Sequence, residues 1–126
     1  IKINIEIHIE MKIPVMGVCR GMQVIQDFFG VELEAVSNHV ATRHKLDVEP
    51  EGRFTHLLST LNTVNAYHDF GAFHSVEELK ISARSGDQVI MAVEHRNAPV
   101  FGQMWHSERE EPFEMEQLAI FNAVLG

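Results

Sequence analysis

The sequence predicts an α/β protein in which helices flank one open sheet. Three observations favour this class. Short apolar stretches alternate with turn residues through the middle of the chain, an apolar run near the start leads into a glycine-flanked turn and a helical pattern, and residues 113–125 have apolar positions at helical spacing. The 126 residues are 45% hydrophobic and 22% charged, as in a globular protein with one core. We therefore expect one domain over residues 1–126.

The first twelve residues give conflicting signals. Isoleucines at positions 1, 3, 5, 7 and 9 alternate with polar residues, which is the pattern of a half-buried strand. A strand that continued from there into Ile13–Val18 would be unusually long for a compact domain. We therefore predict that this segment is a helix packed beside the strand that follows it.

The next stretch has the pattern of a nucleophile elbow, which is a strand, a sharp turn and a helix. Ile13–Val18 is the strand, and Cys19 lies in the Gly-x-Cys-x-Gly turn between Gly17 and Gly21. The glycines would allow a strained backbone and close packing of strand and helix. At a helix N-terminus the Cys19 sulfur would favour the thiolate, and the backbone N–H of Arg20 would be an oxyanion donor.

Such a pentapeptide also fits a buried cysteine in an ordinary turn, but a second motif favours a reactive one. The predicted strand Val100–Met104 is followed by His106 and Glu108. Because strand ends at one edge of an α/β sheet converge, His106 can lie near Cys19 and accept its proton. Glu108, two residues further on, would orient the imidazole and stabilise its charged form.

The middle of the chain reads as short strands joined by loops. His-rich residues 37–43 predict a loop, and residues 62–71 predict a strand followed by a functional loop. Further expected elements are strands at 31–35, 45–48, 79–83 and 89–94, a helical turn at 54–59 and the C-terminal helix at 113–125.

Charge and composition exclude several classes of function. A net charge of −8 without a basic block argues against nucleic acid, and no apolar run approaches the roughly 18 residues of a membrane span. One cysteine excludes an internal disulfide and favours a cytoplasmic location. His39 and His44 could form part of a metal site, but the histidines lack zinc-binding spacing, and we expect neither a metal nor another cofactor.

The motifs Gly17–Gln23 and Trp105–Glu108 resemble the class I (triad-type) glutamine amidotransferase domain. Together with Val64–His68, they look closest to its γ-glutamyl hydrolase branch, which is peptidase C26-like and includes γ-glutamyl-GABA hydrolase. The resemblance implies a flavodoxin-like fold and a γ-glutamyl thioester on Cys19 that water hydrolyses. Members carry a glycine-rich loop before the elbow, whereas no glycine precedes Ile13 here. We therefore expect a partial domain that lacks the N-terminal βα portion.

The resemblance also implies substrate-binding residues. Gln23 matches a position that helps to hold the glutamyl moiety, Arg43 would bind its α-carboxylate, and His68 would line the pocket. The alternatives are a solvated helix residue for Gln23 and an ordinary surface arginine for Arg43. Ser107 stands where the family usually has proline, and we expect it to loosen the loop.

Three functions remain open at this point. The first is a cysteine hydrolase that acts on a small-molecule γ-glutamyl amide or glutamine. The second is a glutaminase subunit that supplies ammonia to a synthetase partner. The third is a truncated, non-catalytic interaction module; missing strands would expose a sheet edge and favour a homo-oligomer. The leaving amine is not encoded in a readable motif.

Overall fold

The computed structural model describes residues 2–126 and confirms the α/β class. Residue 1, the first of the predicted N-terminal helix, lies outside the described residues. The elements are α1 Lys2–Glu10, β1 Val15–Val18, α2 Arg20–Phe28, β2 Glu34–Ala35, β3 Val40–His44, β4 Leu46–Val48, α3 Thr55–Leu58, β5 Val64–Tyr67, β6 Phe70–Gly71, β7 Leu79–Ser85, β8 Ile90–His95, β9 Val100–Gln103, a 3-10 turn at Ser107–Arg109, and α4 Met115–Leu125.

Five strands form the main sheet in the order β1-β9-β8-β7-β4. β1 lies at one end of this order and runs parallel to β9, with Val18 opposite Gln103. The other neighbours are antiparallel, and two small antiparallel pairs, β2–β6 and β3–β5, lie outside the main sheet. The parallel register matters most for function, because it brings the residues that follow β1 and β9 to the same sheet edge.

The core lies around β8 and β9, whose residues are almost all buried. Near-continuous apolar runs are what strands covered on both faces require. The largest fully buried side chains include those of Trp105, Phe101, Met22 and Ile25, so the elbow helix α2 packs on the same core as the end of β9.

The turn from β1 to α2 depends on one glycine more than on the other. A Cβ at Gly17 would lie 2.6 Å from the carbonyl carbon of Gly21, a clash with backbone that cannot be relieved cheaply. A Cβ at Gly21 would meet none of the described atoms within 4 Å. The close packing expected of both glycines is therefore a property of Gly17, which packs against the Gly21 backbone.

The predicted N-terminal helix is confirmed for the described residues. In α1 the Ile5 side chain is buried, and α1 contacts α2. Backbone hydrogen bonds from Met11 to Ile7 and from Ile13 to His8 follow its last turn, and Lys12 has a φ of 56° where the chain turns into β1. Packing against α2 thus favours the helix over the strand, the two structures that the spacing of the isoleucines allowed.

Two sequence predictions are wrong in part. The loop predicted at residues 37–43 is in part a strand, because Val40–His44 forms β3 and pairs with β5, with an irregularity at Ala41, where φ is 55°. The polar segment becomes a strand because a distant partner supplies its hydrogen bonds, which local pattern does not report. The strand predicted at 31–35 is only Glu34–Ala35. Among the described helices, none has the length and apolar content needed to cross a membrane.

Candidate active site

Cys19 is the single residue between β1 and α2, and its backbone has a conformation that residues other than glycine rarely adopt. Its φ is 53° and its ψ is −102°, as in a strained elbow. The Cys19 N–H donates to the carbonyl of Gln103 at 2.7 Å, which ties the turn to the end of β9. The sulfur lies 3.9 Å from the carbonyl oxygen of Tyr67. The turn therefore holds the sulfur between the ends of β9 and β5.

The electrostatic setting corrects the expectation of a preformed thiolate. Burial raises the pKa of the Cys19 thiol above its ordinary value. The backbone N–H of Arg20 and the charge of Arg109 lower that pKa and the charge of Glu108 raises it, but burial is the largest influence. The helix N-terminus acts as expected and is outweighed, so a base has to remove the thiol proton.

The structure brings His106 and Glu108 into contact just beyond β9. Nδ1 of His106 lies 2.9 Å from Oε2 of Glu108. When the imidazole is neutral and donates this hydrogen bond, its Nε2 is free to accept a proton. Cys19 and His106 thus follow two adjacent parallel strands, and the contact with Glu108 is compatible with the tautomer that a general base needs.

Asn65, in β5, fixes the main chain at His106. Its Oδ1 accepts the His106 N–H at 2.8 Å, and its Nδ2 donates to the His106 carbonyl, also at 2.8 Å. Sequence reasoning missed this role, although Asn65 lies in the Val64–His68 stretch that carried part of the resemblance. Because the Asn65 amide pairs with both main-chain groups of His106, it fixes the position from which the His106 side chain extends.

Ser107 strengthens the loop that contains it, so the prediction that Ser107 loosens this loop is wrong. Its buried hydroxyl donates to Oε1 of Gln117 at 2.8 Å and accepts from Nε2 of Gln103 at 2.9 Å. Oε1 of Gln117 also accepts the indole N–H of Trp105 at 3.0 Å. These hydrogen bonds attach the loop to α4 and β9. No signal in the sequence pointed to Gln117, because it lies off the apolar positions of the predicted helix.

A cavity of about 310 Å³ opens beside the sulfur. Its lining residues are Cys19, Arg20, Gln23, Tyr67, His68, Asp69 and Phe70. Nε2 of Gln23 donates to the carbonyl of Phe70 at 3.0 Å. Four of the residues singled out in the sequence, Cys19, Arg20, Gln23 and His68, are thereby brought together.

Arg43 does not line this cavity. Its Nη1 and Nη2 donate to the two carboxylate oxygens of Glu110 at 3.0 and 2.8 Å. Its Nε and Nη2 also donate to the hydroxyl and carbonyl of Thr63. The guanidinium therefore joins β3 to Glu110, which follows the 3-10 turn at Ser107–Arg109.

One cluster bears on the expectation that no metal is bound. His39, His44 and Asp87 each offer a ligand atom, and these atoms lie within 4.8 Å of one another. However, the rings of His39 and His44 are stacked, with centroids 4.0 Å apart and planes inclined by 8°. The nitrogen lone pairs of the stacked rings lie in two separate, nearly parallel planes, which does not suit two ligands of one ion, so this arrangement is a poor metal site.

Two curated relatives match this chain over most of its length. It is 33% identical over 106 residues to a γ-glutamyl-CDP-amidate hydrolase of Campylobacter jejuni, a match that covers 84% of this chain and 48% of the relative. It is 30% identical over 104 residues to an anthranilate synthase component 2 of Thermococcus kodakarensis, covering 82% and 54%. The chain thus spans about half the length of these relatives.

A solved structure has the same fold. The crystal structure of a glutamine amidotransferase from Thermotoga maritima matches with a TM-score of 0.73 at 14% identity, over 96% of this chain and 52% of that one. The family model of Peptidase C26 matches residues 3–108, a range that includes Cys19, His106 and Glu108. With its elbow, its parallel β1–β9 pair and this match, the chain belongs to the Peptidase C26 family, within the class I glutamine amidotransferases.

Proposed function

We propose that this chain hydrolyses a γ-glutamyl amide bond by means of Cys19, His106 and Glu108. The observation that carries the proposal is the placement of Cys19 at the strained end of β1, beside a cavity, while the hydrogen-bonded His106–Glu108 pair follows the adjacent parallel strand. The family and the name of the Campylobacter relative support this type of chemistry.

In the proposed reaction, Cys19 is the nucleophile and His106 is the base. Nε2 of His106 takes the proton from Cys19, and the sulfur attacks the γ-carbonyl carbon to form a tetrahedral oxyanion. The backbone N–H of Arg20 stabilises this oxyanion. The imidazolium then gives its proton to the leaving amine, and a γ-glutamyl thioester remains on Cys19. His106 next removes a proton from water, which attacks the thioester and releases glutamate and the free thiol.

The cavity residues give the substrate-binding part of the proposal. Gln23 and His68 both donate to the Phe70 carbonyl, at 3.0 and 2.9 Å, and thereby shape the wall that faces the glutamyl group. Arg43 is not included, because its guanidinium is bound to Glu110 and Thr63.

An electrophilic glutamine analogue tests the proposal directly. The folded chain is incubated with 6-diazo-5-oxo-norleucine, and its intact mass is measured. We expect one adduct on the native chain, none on Cys19→Ser, and slower labelling of His106→Asn. Absence of an adduct from a chain whose near-ultraviolet circular dichroism shows a folded core would refute the proposal and favour the non-catalytic module.

The Thermococcus relative, named as a component of a synthase, supports a second candidate, a glutaminase that supplies ammonia to a synthetase partner. Steady-state assays separate the two. Hydrolysis of γ-glutamyl amines by the chain alone favours the first candidate. Glutamine hydrolysis that appears only when a synthetase is added favours the second.

A further inference from the structure

A chain of hydrogen bonds, buried at its centre, leads away from the cavity and is not used in the proposed reaction. Nδ1 of His68 lies 2.9 Å from the carbonyl oxygen of Phe70, and Nε2 of His68 lies 3.1 Å from Nδ1 of His39. Nε2 of His39 in turn lies 2.8 Å from Oδ2 of Asp87. His39 is fully buried and His68 almost so. Four groups thus form one line from the cavity wall to the surface.

The groups at the two ends of this line determine how many ring protons the two histidines must carry. The Phe70 carbonyl and an ionised Asp87 carboxylate only accept hydrogen bonds, so Nδ1 of His68 and Nε2 of His39 must both carry hydrogen. The contact between the two rings needs a third hydrogen. Two neutral imidazoles supply only two. The line is therefore complete only when the histidine pair holds one extra proton, whose positive charge is opposite Asp87.

The surroundings indicate where this charge lies. Burial lowers the pKa of His68, the charges of His39 and His44 lower it further, and Phe70 and Asp69 act in the opposite direction. Burial alone would raise the pKa of Asp87, but hydrogen bonds from Ser85 and His39 hold it below its ordinary value. Asp87 is therefore ionised near neutral pH, and its carboxylate lies 2.8 Å from the nearer ring of the pair, that of His39. The groups that face the pair are His44, stacked on His39, together with Asp69 and Asp87.

We propose that His39 and Asp87 are positioning residues that hold His68, and through it the Phe70 carbonyl of the cavity wall, by means of one shared extra proton. As pH rises and this proton leaves, one of the hydrogen bonds in the line is lost and the wall is held less firmly. The link to catalysis depends on the proposed function, because it assumes that this cavity receives the glutamyl group. The proton count does not depend on it.

Asp87→Asn is the decisive variant. An asparagine can donate from its Nδ2 to Nε2 of His39, which then donates from Nδ1 to His68, and His68 donates to Phe70. All the hydrogen bonds of the line are then made with two ring protons on the histidine pair, which is neutral. A merely structural role for Asp87 predicts only weakening, whereas the shared proton predicts that the charge disappears and the hydrogen bonds remain.

Nuclear magnetic resonance of the histidine ring nitrogens counts the protons without any assay of activity. Near neutral pH we expect three of the four ring nitrogens of His39 and His68 to be protonated in the native chain and only two in Asp87→Asn. His44→Gln, which removes the stacked ring but no member of the line, is the control and should keep the native count. Two neutral rings in the native chain, or the same count in Asp87→Asn, would overturn the proposal. So would stoichiometric zinc binding that removes the His39 Nε2 proton and shifts His44.

The pH dependence of Cys19 labelling by the glutamine analogue tests the link to the cavity. The native chain and His44→Gln should lose labelling efficiency on the alkaline side, and Asp87→Asn should lose that alkaline fall. An alkaline fall that persists unchanged in Asp87→Asn would overturn the positioning role. If the nitrogen count is as expected but no adduct forms at any pH, the shared proton stands and the proposed function falls.

Discussion

Two segments flank Cys19, and they are fixed in different ways. The His106 loop, residues 104–109, is held by groups that do not titrate, which are the amides of Asn65 and Gln117 and the hydroxyl of Ser107. The cavity wall, residues 67–70, is held by the Gln23 amide and, in addition, through the imidazoles of His68 and His39. The difference separates two requirements of one site. The main chain at the base is held by groups that do not titrate, whereas the support of the wall includes two titratable histidines.

The largest expected effect concerns the carboxylate that orients the base. In Glu108→Gln the side chain can still reach His106 but no longer stabilises the imidazolium, so we expect hydrolysis of a γ-glutamyl amide to slow by roughly 10²–10³-fold. Steady-state rates measure this, with the exposed Glu111→Gln as control. Equal rates in the two variants would remove Glu108 from the mechanism.

The next variant breaks the uncharged support of the His106 loop. Gln117→Leu keeps the bulk of the side chain but leaves the Trp105 indole N–H and the Ser107 hydroxyl without their acceptor. We expect the free energy of unfolding to fall by about 2–4 kcal/mol. Urea denaturation measures it, and the exposed neighbour Glu116→Gln should change it by less than about 0.5 kcal/mol. A pH-dependent effect of Gln117→Leu on activity would contradict the contrast between the two segments.

A pair of alanine variants tests the turn that both segments flank. Gly17→Ala places a Cβ against the Gly21 backbone and should lower the free energy of unfolding by about 1–3 kcal/mol. Gly21→Ala adds a methyl group that meets open space near the start of α2, and it should be neutral or slightly stabilising. Thermal unfolding compares them. Equal losses of stability in the two variants would contradict the difference described between the surroundings of Gly17 and Gly21.

The thiol itself supplies a pH prediction. Because burial raises the pKa of Cys19, less thiolate is present at any pH below that value than in an unfolded chain. The rate of alkylation by iodoacetamide should therefore reach half its maximum at a higher pH in the folded chain than in the same chain in urea. A half-maximum at or below that of the unfolded chain would show that the Arg20 N–H outweighs burial.

The smallest effect is expected at Arg43. Arg43→Lys loses the two-pronged contact with Glu110 but keeps a positive charge, and its side chain is half exposed. We expect the free energy of unfolding to fall by less than about 1 kcal/mol and the KM for a γ-glutamyl amide to stay unchanged. A raised KM with unchanged stability would restore the role of carboxylate partner that the resemblance implied.

The sequence predicts the parts of the molecule whose signal is local. The apolar run before Cys19, the glycine at position 17 and the helical spacing behind it lie within one short segment, and the structure has the expected elbow. The His106–Glu108 contact joins residues two positions apart and is equally readable.

What the sequence could not predict depends on partners that are distant in the chain. The charge of Arg43 suggests a substrate carboxylate, but Glu110 binds it from 67 positions away. The absence of proline at Ser107 suggests a loose loop, whereas the hydroxyl meets Gln117, on a helix whose buried polar face has no pattern. The strand β3 depends on pairing with β5 in the same way.

The burial of Cys19 against the Tyr67 carbonyl has a consequence for the resting protein. The thiolate is the form of cysteine that attacks peroxide and disulfide reagents, and a buried sulfur held as the thiol presents little thiolate. In the proposed reaction, by contrast, the sulfur loses its proton to His106 when it attacks the γ-glutamyl carbonyl. We therefore expect the cysteine to resist oxidation to sulfenic acid between turnovers.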